Sequence, residues 1–182
     1  MRSGRLRSMS ELATVELGGS TVVLRRADAG DVPAIVDLLA ADQLGATRDG
    51  VHTAGDLAAY QRAFRAIDAD PAQLLVVAVA QDGPRLVATL QLSFIPGLAR
   101  RGALRAQIEA VRVHESYRSR GLGAAMMNWA IDEARRRGCG LVQLTTDKSR
   151  PGAHRFYQRL GFVASHEGMK LRLLGFTGRR AA

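Results

Sequence analysis

The order of apolar and polar positions along this chain predicts a mixed α/β domain. Apolar residues at steps of three and four predict helices that begin near Asp31, Asp56, Leu122 and Pro151. Continuous or alternating apolar segments, which are typical of strands, lie at residues 21–26, 74–80, 86–94, 105–113, 141–145 and 169–173. Together these segments give the element order β-α-α-β-β-β-α-β-α-β.

The domain organisation follows from the same pattern. Residues 1–20 are mixed in character and end in Gly18-Gly19-Ser20, so we expect a flexible N-terminal leader. We expect one domain over residues 21–174 and a basic tail at 175–182, because a chain of this length can form one substantial core. The polar stretch at residues 42–55 predicts a mobile loop between the first two helices.

The net charge of +9 would suit nucleic acid or an anionic substrate as a partner. Five of the positive charges lie in the two tails, at Arg2, Arg5, Arg7, Arg179 and Arg180. Because we find no nucleic-acid-binding motif and few aromatic residues, we expect no nucleic acid partner. The sequence contains no apolar run of membrane-spanning length, no secretory signal and a single cysteine, Cys139, so we expect a cytoplasmic protein without a membrane partner.

A turn rich in arginine and glycine, Arg118-Ser-Arg-Gly121-Leu-Gly123, carries the strongest functional signal. A buried strand precedes this turn, and a helix begins inside the glycines. Glycines let the backbone approach a ligand closely, and the first free N–H groups of a helix bind anions such as pyrophosphate. Arg118 and Arg120 would add positive charge. The bare Gly-x-Gly tripeptide is also typical of an ordinary strand-to-helix turn.

Two motifs, taken together, resemble the GNAT superfamily of N-acetyltransferases. The turn matches Arg/Gln-x-x-Gly-x-Gly/Ala, the family's acetyl-CoA pyrophosphate signature, and residues 153–162 (Ala-His-Arg-Phe-Tyr-Gln-Arg-Leu-Gly-Phe) resemble the ending A-x-x-(F/L)-Y-x-x-L-G-F. The resemblance extends over roughly residues 21–173. It implies the GNAT fold, an α/β (α+β) architecture with a mixed, mostly antiparallel sheet of six to seven strands and about four helices. It also implies an acetyl-CoA-dependent enzyme that needs no metal and often forms a homodimer.

The resemblance also implies which residues hold acetyl-CoA. The strand before the turn would bind the pantetheine arm through its backbone, and the turn would bind the pyrophosphate. The residues expected to contact the cofactor are Val111, Arg112, Val113, Arg118, Ser119, Arg120, Gly121, Leu122, Gly123 and Ala124. At the position of Arg150, many members of the GNAT superfamily have Asn. That arginine would replace the Asn contact with pantetheine, bind a phosphate or an anionic substrate group, or lie at the surface.

Tyr157 and Glu109 are the candidate catalytic residues. Tyr157 matches the family tyrosine that protonates the departing thiolate, although an amphipathic core tyrosine would fit the same helix. By the period of two, Glu109 shares a side of its strand with Val111 and Val113. Partial burial would raise its pKa and suit it to act as a general base. An ion pair with a neighbouring arginine is the alternative role for Glu109, and solvent is the alternative base.

The acceptor is the least determined part of the prediction. We expect a small primary amine, bound by residues 42–60 and 94–105. The arginines there, Arg48, Arg100, Arg101 and Arg105, favour an amine that carries a carboxylate or phosphonate. A protein or peptide amine is one alternative. A non-catalytic module that only binds acyl-CoA is another.

Overall fold

A computed structural model describes residues 11–41, 49–82, 86–171 and 173. Within them, six strands form one sheet in the order β1-β2-β3-β4-β5-β6. Neighbouring strands are antiparallel except β5 and β6, which are parallel, so the expected mixed and mostly antiparallel sheet is confirmed. The strands are β1 (Glu11–Leu17), β2 (Ser20–Arg26), β3 (Gln73–Ala80), β4 (Leu86–Ile95), β5 (Arg105–Val113) and β6 (Leu141–Leu144).

The helices lie on both faces of this sheet. They are α1 (Val32–Ala40), α2 (Ala54–Ala69), the single turn α3 (Ala99–Gly102), α4 (Leu122–Arg136) and α5 (Pro151–Arg159). Leu74, Val76 and Ala78 of β3 point into the core formed with α4, whereas Leu75 and Val77 point into the core formed with α1 and α2. A strand buried on both faces needs apolar residues at every position, which explains the continuous apolar run of β3.

The flexible leader predicted for residues 1–20 is wrong for its second half, because Glu11–Leu17 forms strand β1. Gly18 and Gly19 have φ values of +50° and +100°, and they connect β1 to β2 as a two-residue hairpin turn. Ala13, Val15 and Leu17 of this edge strand alternate with Thr14 and Glu16 and pack against the core, so the short alternating pattern of a strand is present here. Residues 1–10 lie outside the described part of the chain.

The strand predicted over residues 169–173 is not formed by the residues that the structure describes there. The apolar residues after α5 are largely exposed instead, with exposed fractions of 81% for Val163, 95% for Met169, 87% for Leu171 and 75% for Leu173. Their alternation is typical of a strand, but a strand also needs a hydrogen-bonding neighbour. The predicted basic tail at 175–182 and residues 42–48 of the predicted loop lie outside the described residues.

The helix ends have clear local causes. Thr53 caps α2 through a capping box with Asp56, and Pro33 lies in the first turn of α1, where its missing N–H costs nothing. At the end of α4, Arg136 and Arg137 both donate hydrogen bonds to Glu133, whose exposed fraction is only 6%. Arg137 also stacks 4.0 Å from the ring centroid of Phe94 in β4, which fixes this end of α4 to the sheet. Within the described residues, no helix is both long and apolar enough to span a membrane.

We predict that Glu133→Gln lowers the free energy of unfolding at pH 7 by about 2 kcal/mol, because it weakens buried, charge-assisted hydrogen bonds. Burial alone would raise the pKa of the Glu133 carboxyl, but the guanidinium groups of Arg137 and Arg136 outweigh burial and lower it. The stabilisation is therefore present above the ordinary glutamate pKa of about 4.3 and lost as the pH falls below it.

Urea unfolding of both proteins between pH 7 and pH 3 measures this effect. The difference in unfolding free energy should shrink as the pH falls. Asp132→Asn is the matched control, since Asp132 pairs with Arg135 at the exposed surface of the same helix and its loss should change little. A difference between wild type and Glu133→Gln that stays constant with pH would contradict the prediction.

Candidate active site

A wedge-shaped gap opens in the sheet where β5 and β6 part. The two strands pair over only four residue pairs, from Arg105 with Leu141 to Ile108 with Leu144. Beyond Ile108, β5 continues to Val113, while the chain after β6 turns away. The N–H and the hydroxyl of Ser149 both donate to Asp147 Oδ1, at 2.9 and 2.7 Å, and α5 begins two residues later. One edge of β5 is thereby left facing the gap.

A β-bulge lies in β5 at this gap. Glu109 is opposite Gln91 and Arg112 is opposite Thr89, so two residues of β5, Ala110 and Val111, face the single residue between them in β4. Ala110 has a φ of +53°, a left-handed conformation that is uncommon for residues other than glycine. A bulge redirects the backbone N–H and C=O groups of its strand. The backbone of β5 at the gap therefore departs from the regular hydrogen-bonded ladder with β4.

The bulge corrects the predicted orientation of Glu109. Residues directly opposite each other in a sheet share a face, which places Glu109 and Arg112 on the face of Gln91 and Thr89. Val113 lies opposite Ala88 and therefore on the other face, towards α4. The prediction that Glu109 and Val113 share a side is wrong, because the extra residue shifts the period of two. The side chain of Glu109 is exposed, so the partial burial expected of it is absent.

The predicted pyrophosphate turn forms at the end of β5. Ser119 and Gly121 have φ values of +59° and +90°, and Gly121 is the N-cap residue of α4. The first N–H groups of α4, at Leu122, Gly123 and Ala124, have no carbonyl one turn earlier in the helix to bond. This is the backbone geometry that binds a phosphate group.

Contacts around the turn fix its position. The Nε of Arg118 donates to the carbonyl of Val113 at 3.0 Å. Arg120 stacks 4.8 Å from the ring centroid of Tyr117 and donates to Ser20 Oγ at 3.0 Å. A Cβ atom on Gly123 would lie 3.6 Å from Phe156 and 3.7 Å from Val113, so α4, α5 and β5 meet at this glycine. The turn is therefore held by both the β1–β2 hairpin and the core.

The second motif explains how Tyr157 is held. Helix α5 ends in a Schellman motif, in which the N–H of Phe162 donates to the carbonyl of Tyr157 at 3.1 Å and the N–H of Gly161 donates to that of Gln158 at 3.0 Å. Gly161 has the required left-handed φ of +90°. The ring of Tyr157 lies edge-on to Phe156 and Phe162, with centroid distances of 5.2 and 6.0 Å. The Leu-Gly-Phe ending thus positions the tyrosine.

Burial raises the pKa of the Tyr157 hydroxyl, and the positive charges of Arg150 and Arg112 counteract that rise only in part. The hydroxyl is therefore protonated at neutral pH and available as a proton donor. Both arginines act on Tyr157 electrostatically, so the structure brings Arg150 to the site rather than leaving it at a remote surface. Glu109, Arg112, Arg150 and Tyr157 all line one open cavity of about 1770 Å³.

A row of polar side chains, which the sequence patterns did not predict, crosses the sheet beside Glu109. Gln73, Ser93, Gln107 and Gln143 are consecutive neighbours across β3, β4, β5 and β6. A polar residue inside an otherwise apolar strand was the available signal for each of them. Their alignment depends on strand register, which no single segment of the sequence reveals.

Comparison with known proteins identifies the family. The family model of the acetyltransferase (GNAT) family matches residues 36–162. A solved structure described as a transcriptional regulator from Bacillus halodurans superimposes with a TM-score of 0.78 and 45% sequence identity, covering 84% of this chain and 99% of that chain.

Two curated relatives have named activities. Glucosamine 6-phosphate N-acetyltransferase from Trypanosoma brucei brucei is 38% identical over 90 residues, which are 49% of this chain and 58% of that enzyme. Aminoalkylphosphonate N-acetyltransferase from Salmonella typhimurium is 38% identical over 60 residues, which are 33% of this chain and 39% of that enzyme. The matched region is therefore less than two thirds of the length of either relative.

We predict that acetyl-CoA raises the melting temperature of the wild type and not that of Gly121→Asp. A ligand present at about 100 times its dissociation constant stabilises the native state by about 2.7 kcal/mol. Aspartate at position 121 would place a negative charge in the phosphate turn. The strain at a φ of +90° would also cost about 1–2 kcal/mol in the absence of ligand.

Gly138→Asp is the matched control for this thermal-shift measurement. Gly138 follows the other end of α4 and has a comparable φ of +75°, with open space around its Cα. This variant should have a lower melting temperature but keep the full shift with acetyl-CoA. A normal acetyl-CoA shift in Gly121→Asp would show that the turn does not bind the pyrophosphate.

Proposed function

This chain belongs to the acetyltransferase (GNAT) family, and we propose that it transfers the acetyl group of acetyl-CoA directly to the primary amine of a small molecule. The main support is that Glu109, Arg112 and Tyr157 line one cavity, while the glycine turn packs at Gly123 against β5 and against the helix that carries Tyr157. A protein or peptide N-acetyltransferase and a non-catalytic acyl-CoA-binding module are the alternatives.

Acetyl-CoA supplies the acetyl group as a thioester, and the residues of the gap suit its parts. In this proposal the N–H groups of Leu122, Gly123 and Ala124, with the charges of Arg118 and Arg120, hold the pyrophosphate. The backbone of Val111 and Val113 in β5 bonds the pantetheine arm. The carbonyls of both residues already accept hydrogen bonds from arginine side chains, Arg112 and Arg118 respectively, which supports their being open to a partner other than β4.

The remaining chemistry is proton transfer and charge stabilisation. The amine must be neutral when it attacks, and Glu109, exposed on the cavity side of β5, or a water molecule beside it would remove its proton. A backbone N–H at the bulge would polarise the thioester carbonyl. Tyr157 would protonate the departing thiolate. The charges of Arg150 and Arg112 would stabilise that thiolate before the proton arrives.

The acceptor in this proposal carries an anionic group as well as an amine. Arg100 and Arg105 line the same cavity as Glu109, so that positive and negative side chains face one space. The names of the two relatives with known activities give independent support, since each combines an amine with a phosphate or a phosphonate. A small amine with a phosphate, phosphonate or carboxylate is therefore the preferred class.

The proposal includes a cytoplasmic homodimer. The free thiol of Cys139 fits a reducing compartment. The exposed apolar residues Val163, Met169 and Leu171 follow α5 in the chain, and apolar surface of this kind is often buried against another copy. A mass of twice 19.6 kDa by light scattering is the expected result, and the monomer mass would count against the dimer.

We predict that Tyr157→Phe lowers kcat roughly 100-fold and leaves the KM for acetyl-CoA unchanged, because the ring packing is kept and only the proton donor is lost. In the wild type, loss of rate from deprotonation of Tyr157 should begin only above the ordinary tyrosine pKa of about 10, since burial raises its pKa. Release of free thiol from acetyl-CoA, followed with a panel of amines, measures both quantities.

Tyr117→Phe is the control, because it removes a hydroxyl that donates to the carbonyl of Asp82 and lies outside the cavity lining. Equal kcat values for wild type and Tyr157→Phe would remove the tyrosine from the mechanism. An acetyl-CoA thermal shift without thiol release to any amine would favour the binding module. Binding to DNA that weakens steeply with salt, together with no acetyl-CoA shift, would favour a nucleic-acid-binding protein.

A further inference from the structure

The polar row across the sheet divides into two hydrogen-bonded groups. On one side, Ser93 Oγ and Gln91 Nε2 both donate to Gln73 Oε1, at 2.7 and 3.0 Å. On the other side, Gln143 Nε2 donates to Gln107 Oε1 at 2.7 Å. Buried polar groups in a sheet are normally satisfied in this way, so hydrogen bonding alone does not assign the row a function.

The two groups differ in what they face. Ser93 is buried, and the cavity is lined by none of Ser93, Gln73 and Gln91. The hydrogen bonds of this group are therefore made among its own members, within the fold. Gln107 and Gln143 are only partly buried, and both line the cavity together with Tyr157 and Glu109. Their mutual bond uses one lone pair of the Gln107 oxygen and one N–H of Gln143. The amide of Gln107 retains two donors and that of Gln143 an acceptor.

Gln107 also lies between two opposite charges on one face of β5. Arg105, Gln107 and Glu109 alternate along the strand before the bulge, and their side chains point to the same side. Four residues of strand separate the two charged ends by about 13 Å between Cα atoms. Both Arg105 and Glu109 are exposed. An acceptor whose amine lies at Glu109 would extend along β5, first past the amide group of Gln107 and then to the guanidinium group of Arg105.

We propose that Gln107 and Gln143 bind hydroxyl groups of the acceptor, and that Arg105 binds its anionic end. This assignment rests on the proposed acetyl transfer and narrows the acceptor to a hydroxylated amine with a terminal phosphate or carboxylate. A simple aminoalkyl anion would leave the amide pair without a partner. Hydroxyl groups suit this pair because each both donates and accepts, as the free donors of Gln107 and the free acceptor of Gln143 require.

Thiol release with three amines tests the assignment: glucosamine 6-phosphate, glucosamine and 2-aminoethylphosphonate. The wild type should use glucosamine 6-phosphate with the highest kcat/KM. Gln107→Leu and Gln143→Leu should each raise the KM for the hydroxylated amines about tenfold, the loss of one net hydrogen bond, and leave the KM for 2-aminoethylphosphonate and for acetyl-CoA unchanged. Arg105→Gln should remove the preference for glucosamine 6-phosphate over glucosamine.

Gln73→Leu is the matched control, because it breaks the same row on the side that does not face the cavity and should change stability but no kinetic constant. Acetylation of 2-aminoethylphosphonate at least as efficient as that of glucosamine 6-phosphate would overturn this assignment alone. Wild-type KM values for the hydroxylated amines in both Gln107→Leu and Gln143→Leu would also overturn it. No transfer to any of the three amines, despite a thermal shift with acetyl-CoA, would overturn the proposed acetyl transfer to small amines as well.

Discussion

The limited pairing of β5 with β6 is the constraint on which the rest of the site depends. Two parallel strands that continued in register would satisfy each other's backbone groups and close the sheet. Here the ladder stops at Ile108 and Leu144, and the chain leaves β6 through the Asp147 turn. An open strand edge is usually a liability in a soluble protein. In the proposed mechanism, this edge is the surface along which the amide groups of the pantetheine arm complete the ladder.

The phosphate turn and Tyr157 lie on different elements of the fold, but packing at Gly123 connects them. The turn at Gly121 follows β5 in the chain, and Tyr157 lies on α5, the helix that follows β6. Phe156 and Val113 close over Gly123, so the phosphate turn and the tyrosine helix cannot move apart without opening the core. The distance between an anion at the turn and a proton donor at Tyr157 is set by packing, before any ligand arrives.

Sequence patterns predicted the parts of this protein that are determined locally. The buried strand β3, the glycine turn and the Leu-Gly-Phe ending after Tyr157 each have a signal within about ten residues. Strand β1 was not predicted, although Ala13, Val15 and Leu17 alternate with polar residues, because this alternation is short and lies directly before the glycines that suggested a flexible leader. The strand expected near Met169 failed because alternation does not supply a neighbour. The bulge at Ala110 and the Gln107–Gln143 pair depend on register between distant segments, which composition and periodicity do not contain.

The bulge at Ala110 also divides β5 into two segments with different proposed roles. Arg105, Gln107 and Glu109 precede it and face the proposed acceptor side, whereas Val113 follows it and lies against Gly123 in the proposed cofactor turn. The exposed side chains of Arg105 and Glu109 make no contact with Gly123, so substitutions there leave the packing of the turn in place. Under the proposed assignment, substitutions in the first half of the strand change the acceptor site while the residues at the turn stay the same. In engineering terms, the strand is modular: its first half is the place to diversify, and its second half is the place to leave alone.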